Sequence, residues 1–519
     1  MPSSKNAVVV EKKEEPKKDK TIDEVVKDYE KLPGFLTLYR KKETGKDTIY
    51  AEVKEDQIGK LMLLQTTAST GNGDEVIAGD PINDIVFKLT RLQDDRLVIT
   101  IPNWNYQADA KTPMGKAVKR SFPDGYLSTF RIEARQTDRK SMLIDVSDFF
   151  RGDFAQISQA LNGGGGGSLL GLPVGAMYSI DREKTYIAMV KSFPENVVVY
   201  TQYHFLRGGR SGGSALADPR SLPLTVVYNL FALPNDSVTY KPTNGFMPRR
   251  ADGRVGYFTT EFTNLDDDSK EDPTVRYIQR WDLKKKDPNA SLSDPVKPIV
   301  FWLDNAIPLE YRDAVKKGVL NWNKGFEKIG IKNALEVKQM PDDADWDHAD
   351  GRYNIVRWVV TPEDSSRFTV AIALARTNPL TGQILSASVS VDAGWTRFSK
   401  LERRRLIAPA VSYAKGAEIG ADIFEEARER GENVDEALKQ LQRGAFRCEI
   451  GGDGQYQRAW MGDLARRMIH DGENPISDLA YTNQMLVETV THEMGHIMGL
   501  RHNFVGSTQF TLEQLKNPT

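Results

Sequence analysis

Three of the six histidines, His492, His496 and His502, fall close together near the carboxyl end, in the run Thr491-His492-Glu493-Met494-Gly495-His496-Ile497-Met498-Gly499-Leu500-Arg501-His502-Asn503. Residues 483–498 contain no proline and one interior glycine, Gly495, so the spacing predicts a helix there. On a helix, His492 and His496 stand one turn apart and about 40° around the axis, so both imidazoles project toward one ion. Glu493 lies about 60° beyond His496, close enough to reach a water on that ion without ligating it. Gly499 can take a left-handed conformation and end the helix, letting His502 return as a third ligand. Three neutral imidazoles with an open fourth position are the arrangement of a catalytic zinc, whose bound water has a pKa of about 7. A structural site would be closed by a fourth ligand, usually cysteine, and none lies nearby in sequence. At this composition the extended spacing arises by chance on the order of 10⁻⁵ per chain.

The elements around this run must hold it. Along the expected helix Leu486, Val490 and Ile497 fall at one angle and Val487, Met494 and Met498 at another, leaving Glu488 as the main outward charge. A dry wall beside a metal strengthens its electrostatics. Upstream, residues 299–303 read as a strand, and Pro308 begins a helix with Val315, Val319, Trp322, Phe326 and Ile329 at helical spacing. Strands are expected over residues 353–360, 370–375 and 384–391, and helical patterns dominate from Leu401 onward. In 384–391, Leu385, Ala387, Val389 and Val391 alternate with Ser386, Ser388 and Ser390, which predicts one buried and one polar face. Such a strand could be the edge of a cleft onto which an extended peptide adds.

The chain before this is strand-rich. A hairpin is expected over residues 84–101, where Ile85, Phe87 and Leu89 face Leu97, Ile99 and Ile101 across the turn Gln93-Asp94-Asp95. Further strands are expected over residues 126–134, 141–146, 197–205 and 222–233, with a short helix over 22–32 and strands over 50–53 and 60–64. The expected organisation is a charged, disordered tail (1–20), a small amino-terminal module (21–70), a β-rich domain (71–290) and a mixed α/β domain (291–519). The fold class is therefore α+β.

Composition bounds the function. The 519 residues carry 70 Lys+Arg against 72 Asp+Glu, a formal charge of −2, with mean hydropathy −0.48. Near-neutral charge offers no field for gathering phosphates, so no nucleic-acid partner is expected. No window approaches the roughly 18 apolar residues of a membrane span, and residues 1–20 lack the apolar core of a secretory signal. The single cysteine, Cys448, can form no internal disulfide. The glycine run 163–167 lacks the Gly-Lys-Ser/Thr of a phosphate loop and reads as a loop.

At His492, Glu493, His496, Gly499 and His502 the chain resembles the metzincin clan of zinc endopeptidases, and Gly499-Leu500-Arg501-His502-Asn503-Phe504 is similar to a bacterial family of large zinc-dependent metalloproteases. The segments Pro33-Gly34-Phe35-Leu36-Thr37-Leu38 and Pro248-Arg249-Arg250-Ala251-Asp252-Gly253-Arg254-Val255-Gly256-Tyr257-Phe258 resemble that family too. The resemblance implies zinc held by His492, His496 and His502, Glu493 as general base, a protein or peptide substrate, two amino-terminal domains before a metzincin-like catalytic domain, and a secreted or periplasmic enzyme. It also strengthens residues 384–391 as the edge of the cleft. The clan places a methionine-containing turn after the third histidine. No Met follows Met498 before Thr519, so the catalytic domain is expected to lack its carboxyl-terminal lower wall.

A different class remains open on the residues: a noncatalytic peptide- or protein-binding protein in which the β-rich region recognises a partner and the zinc site is vestigial or structural. His204 and His348 have no partner at ligand spacing, His470 precedes the turn-forming Asp471-Gly472, and Cys448 is expected to be buried and inert. Asn235-Asp236-Ser237 and Asn289-Ala290-Ser291 match glycosylation acceptors.

Overall fold

Alternating apolar side chains fill the first half of the chain, and in the computed structural model they pair into two antiparallel sheets. The structure describes residues 20–402 apart from 44–45, 74–75, 164–167, 170–171, 174–176, 209–215, 268, 270 and 363–369, together with 477–503, 511 and 514. The first sheet has the order Glu30–Leu32, Thr37–Glu43, Lys46–Lys54, Ser141–Asp145, Ile132–Gln136. The second runs Met177–Ile180, Asn196–Gly208, Ser221–Ala232, Met62–Ala68, Pro81–Arg91, Leu97–Ile101, Gly125–Phe130, with Tyr186–Ser192 also paired to Asn196–Gly208. Strands from residues 21–70 and from residues 71–290 thus share both sheets. One hydrophobic cluster joins them, with Leu38, Ile49, Leu64, Phe87, Ile99 and Val199 among its buried members.

The expected hairpin forms: Arg91 pairs with Leu97, and Asp95 takes φ 66° in the turn, a region that Asp enters more readily than most residues. Two other expectations need correction. The helix expected over 22–32 stops at Val25, because Pro33-Gly34 reverses the chain and lets Glu30, Lys31 and Leu32 pair with Arg40, Tyr39 and Leu38. The strand expected over 126–134 is two strands, Gly125–Phe130 in the second sheet and Ile132–Gln136 in the first, and the chain passes between sheets at Arg131.

A further sheet has the order Leu335–Gln339, Ile299–Leu303, Asn354–Val359, Ile384–Asp392, Ala371–Thr377. The first four strands are parallel, and Ala371–Thr377 runs antiparallel to its neighbour. Helix Leu309–Leu320, entered after Pro308, and the long helix Asp478–Ile497 share a core with this sheet, in which Phe301, Val315, Val389 and Val490 are completely buried. Gly318 permits the close approach of the two helices, since a Cβ there would lie 2.7 Å from Cβ of Val490. The helical spacing through Trp322, Phe326 and Ile329 does not continue one helix: a separate helix, Asn323–Lys328, follows, and Ile329 is 66% exposed.

Residues 384–391 are not the sheet edge. Strand Ile384–Asp392 lies between Asn354–Val359 and Ala371–Thr377, and the latter is the edge. Its serine face is also buried, with Ser386, Ser388 and Ser390 at most 8% exposed. The β-rich part supplies the cover: Arg376 reaches Asp84 at 3.0 Å and Thr67 at 2.7 Å, and Asn229 donates to the Ala349 carbonyl at 3.2 Å. Leu385 sits where the ladder shifts register between Arg376 and Thr377, and it packs with Leu61, Leu63 and Val86 instead of with Val389.

Candidate metal centre

The helix that carries the histidines is longer than the apolar spacing indicates, spanning Asp478–Ile497 behind the cap Ser477, whose hydroxyl accepts from the Ala480 N–H at 3.2 Å. Leu486, Val490, Met494 and Ile497 are fully buried, and Glu488 is exposed. Immediately before the first His, Thr491 locks the helix to its neighbour. Its hydroxyl donates to the Val487 carbonyl at 2.6 Å and accepts from the Asn321 amide at 3.1 Å, while the Trp322 indole donates to the Thr491 carbonyl at 2.7 Å. The same indole lies under Gly495, where a Cβ would come within 2.9 Å of it.

The helix ends as the glycine predicts. Gly499 has φ 93°, its N–H donates to the His496 carbonyl at 2.9 Å, and the Leu500 N–H donates to the Gly495 carbonyl at 3.1 Å. This pair of reversed bonds is the Schellman pattern. It turns the chain so that His502 Nε2 stands 3.0 Å from His492 Nε2 and 3.2 Å from His496 Nε2. The ligand atoms of the three residues all lie within 4.8 Å of one another, and no other such group of three occurs among the described residues.

The donor set fits zinc. Three nitrogens at about 2.0–2.1 Å from a tetrahedral ion stand about 3.3–3.4 Å apart, a few tenths from the two separations seen. The His496 Nδ1–H donates to the Leu500 carbonyl at 2.8 Å, which leaves the Nε2 lone pair of that ring for an ion. His502 is held below the ordinary imidazole value by partial burial and, next, by His496, which favours the neutral form that ligation requires.

Glu493 projects into a different environment from its neighbours. It is 8% exposed, and burial pushes its carboxyl above the usual carboxylate range, opposed by His496 and by the Ala373 N–H, which donates to it. Ala373 belongs to the edge strand Ala371–Thr377, so the helix and the sheet edge meet at this carboxylate. On its other side the helix borders a groove of about 1000 Å³ that runs from Asp313 and Lys317 past Gln484 and Glu488 to His492.

Sequence reasoning missed the residues that brace the turn. Phe258 N–H donates to the Gly499 carbonyl at 2.8 Å, and Arg501 N–H donates to the Gly256 carbonyl at 3.0 Å. The Trp281 indole donates to the Ile497 carbonyl at 3.0 Å, and the Phe258 ring meets the His496 ring edge-on at 5.8 Å. The available signal was Gly256-Tyr257-Phe258 in the family-like segment, but nothing local says what those residues touch.

The other singled-out residues lie elsewhere. His348 is half-buried in the contact between the β-rich part and the mixed sheet, with Nε2 3.0 Å from the Ser69 carbonyl. Asn235 is 7% exposed and bonded to Tyr240 and Asn378, so its amide does not present an acceptor at the surface. Cys448, His470 and the glycines 164–167 fall outside the described residues. No helix among the described residues is long and apolar enough to cross a membrane.

Two family models match the chain. One, described as Met-zincin, covers residues 475–519, which include the long helix and all three histidines. The other, a domain of unknown function (DUF5117), covers residues 79–286. No curated protein and no solved structure matches the chain. The His triad and the Met-zincin match together support a metzincin-like zincin with a metalloprotease-like site.

Proposed function

We propose that the chain acts as a zinc endopeptidase, with His492, His496 and His502 holding the metal and Glu493 serving as general base. The observation that carries this reading is the convergence of three imidazoles at the end of a buried helix, beside a single buried carboxylate. Zinc held there would supply a Lewis acid that brings the pKa of a water near neutrality and polarises a carbonyl. Glu493 would take the proton of the attacking water on a carboxylate oxygen and pass it to the leaving amine nitrogen. His496, through its Nδ1–H on Leu500, keeps its ring oriented throughout. The edge strand Ala371–Thr377 offers backbone groups along which an extended peptide can lie.

On the same reading the enzyme is bacterial and secreted or periplasmic, with residues 21–70 and 71–290 preceding a metzincin-like catalytic domain over 291–519; the Met-zincin match at 475–519 supports the metalloprotease part of this reading. The test is Glu493→Gln. The variant should keep the wild-type zinc content and lose about 10²- to 10⁴-fold in peptide hydrolysis. Undiminished turnover would remove Glu493 from the mechanism, and zinc binding without cleavage across a broad peptide library by the wild type would favour a noncatalytic binding protein.

A further inference from the structure

The turn that delivers His502 is held by residues far away in sequence. Its carbonyl at Gly499 receives the Phe258 N–H, its Arg501 N–H goes to the Gly256 carbonyl, and Tyr257 bridges Leu500 antiparallel. Phe258 is itself fixed, because its carbonyl accepts from the Gln279 N–H at 2.8 Å. One residue on, the Arg280 N–H donates to the Gly382 carbonyl and the Arg280 carbonyl accepts from the Ile384 N–H, both at 2.9 Å. Backbone pairing therefore runs without interruption from the hairpin that carries the edge strand, through residues 279–280 and 256–258, to the turn between His496 and His502. Two side chains close the frame: the Trp281 indole on the last helical carbonyl and the Phe258 ring on His496.

Resting on the zinc reading above, we propose that Trp281 and Phe258 are positioning residues of the metal site. They fix the Gly499 turn and the His496 ring so that the third imidazole meets the first two, and the β-rich part of the chain thereby completes the metal centre. Metal-ligand supports of this kind typically alter affinity by about 10- to 100-fold when removed.

The experiment measures the zinc dissociation constant of the 519-residue protein by competition with a chromophoric chelator, alongside thermal unfolding of the metal-depleted form. Trp281→Phe keeps the ring and removes the N–H, and Phe258→Leu removes the aromatic face. Each should weaken zinc at least about tenfold. Phe258→Tyr should restore it. Ser477→Ala, which loosens the far end of the same helix, serves as the control: it should lower the unfolding temperature comparably and leave zinc affinity unchanged. Wild-type binding matched by both Trp281→Phe and Phe258→Leu overturns the positioning role while leaving the zinc site standing. Losses no larger than that of Ser477→Ala, or a Phe258→Tyr as weak as Phe258→Leu, overturn it as well. A wild type that binds no zinc overturns the metal reading itself.

Discussion

Replacing Gly499 by alanine tests the geometry of the turn directly. At φ 93° an L-residue pays about 1–2 kcal/mol for the left-handed backbone. In addition, a Cβ there would lie 2.2 Å from the Gln279 carbonyl oxygen and 3.6 Å from the Tyr257 ring. Backbone cannot swing aside as a side-chain tip can, so this contact adds about 1–3 kcal/mol of overpacking. Reduced freedom of the unfolded chain returns about 0.4–1 kcal/mol. Gly59 provides the comparison, with φ 80° and nothing within 4 Å of its would-be Cβ. Gly59→Ala carries the backbone and unfolded-chain effects without the clash.

The difference between the two variants isolates the Gln279 contact at about 1–3 kcal/mol, or about 5- to 150-fold in a local opening constant. Amide hydrogen exchange on metal-depleted protein reads it, because exchange reports local opening free energies. For Gly499→Ala the reporters are the N–H groups of Leu500 and Phe258, bonded to Gly495 and Gly499, and for Gly59→Ala those of Gly59 and Lys60, bonded to Leu89 and Gln57. Equal loss of protection at the two sites would refute the claim that the Gln279 backbone presses on this turn.

Three further outcomes follow from the packing and the charges. Ser477→Ala removes the acceptor of the Ala480 N–H and should destabilise the long helix by about 0.5–2 kcal/mol, measured as a lowered melting temperature that Ser477→Asp restores. Gly318→Ala would place a methyl 2.7 Å from Val490 Cβ and should cost about 1–3 kcal/mol of overpacking, which Val490→Ala cannot relieve because it keeps that Cβ; an unchanged denaturation midpoint for Gly318→Ala would contradict the contact. His348 is held below the ordinary imidazole value by burial and by Arg357, with Asp347 and Asp304 opposing. The folded chain therefore binds its proton less readily than the unfolded chain, so its stability contribution is complete above about pH 6.5 and is lost as pH falls below that. Urea midpoints at pH 7.0 and 5.5 should drop more for the wild type than for His348→Gln, and an equal drop would count against it.

The geometry of the histidine run was legible because it is local. A helix spacing, a buried stripe and one glycine determine where His492, His496 and Gly499 stand, and the structure places them so. The hairpin around Asp95 was legible for the same reason. What sequence could not show was cover. The alternation in 384–391 separates the two faces from Ser386 onward but misplaces Leu385, and Ser386, Ser388 and Ser390 resemble a solvent face until Arg376, Asp84 and the β-rich part close over the sheet. Short polar side chains are compatible with a surface or with a satisfied interior, and only tertiary contacts decide. The split at Arg131 was hidden likewise, since one apolar run serves equally well as one strand or as two strands in different sheets.

The carbonyls at the end of the long helix tie the turn before His502 to distant residues. A helix leaves its last four carbonyls without partners inside the helix. Here local bonds serve Met494, Gly495 and His496, through the N–H groups of Met498, Leu500 and Gly499. The next one, on Ile497, is served by the Trp281 indole, and that on Gly499 by the Phe258 N–H. The Leu500 carbonyl is taken by the His496 ring itself. Sequence-local bonding thus ends the helix, while residues more than two hundred positions earlier satisfy the carbonyls that aim the turn toward His502. Because an unpaired buried carbonyl costs about 1–3 kcal/mol, the turn is most stable when the β-rich part is docked. Zinc ligation and the packing of the β-rich part against the helix end would then be thermodynamically linked, each strengthening the other.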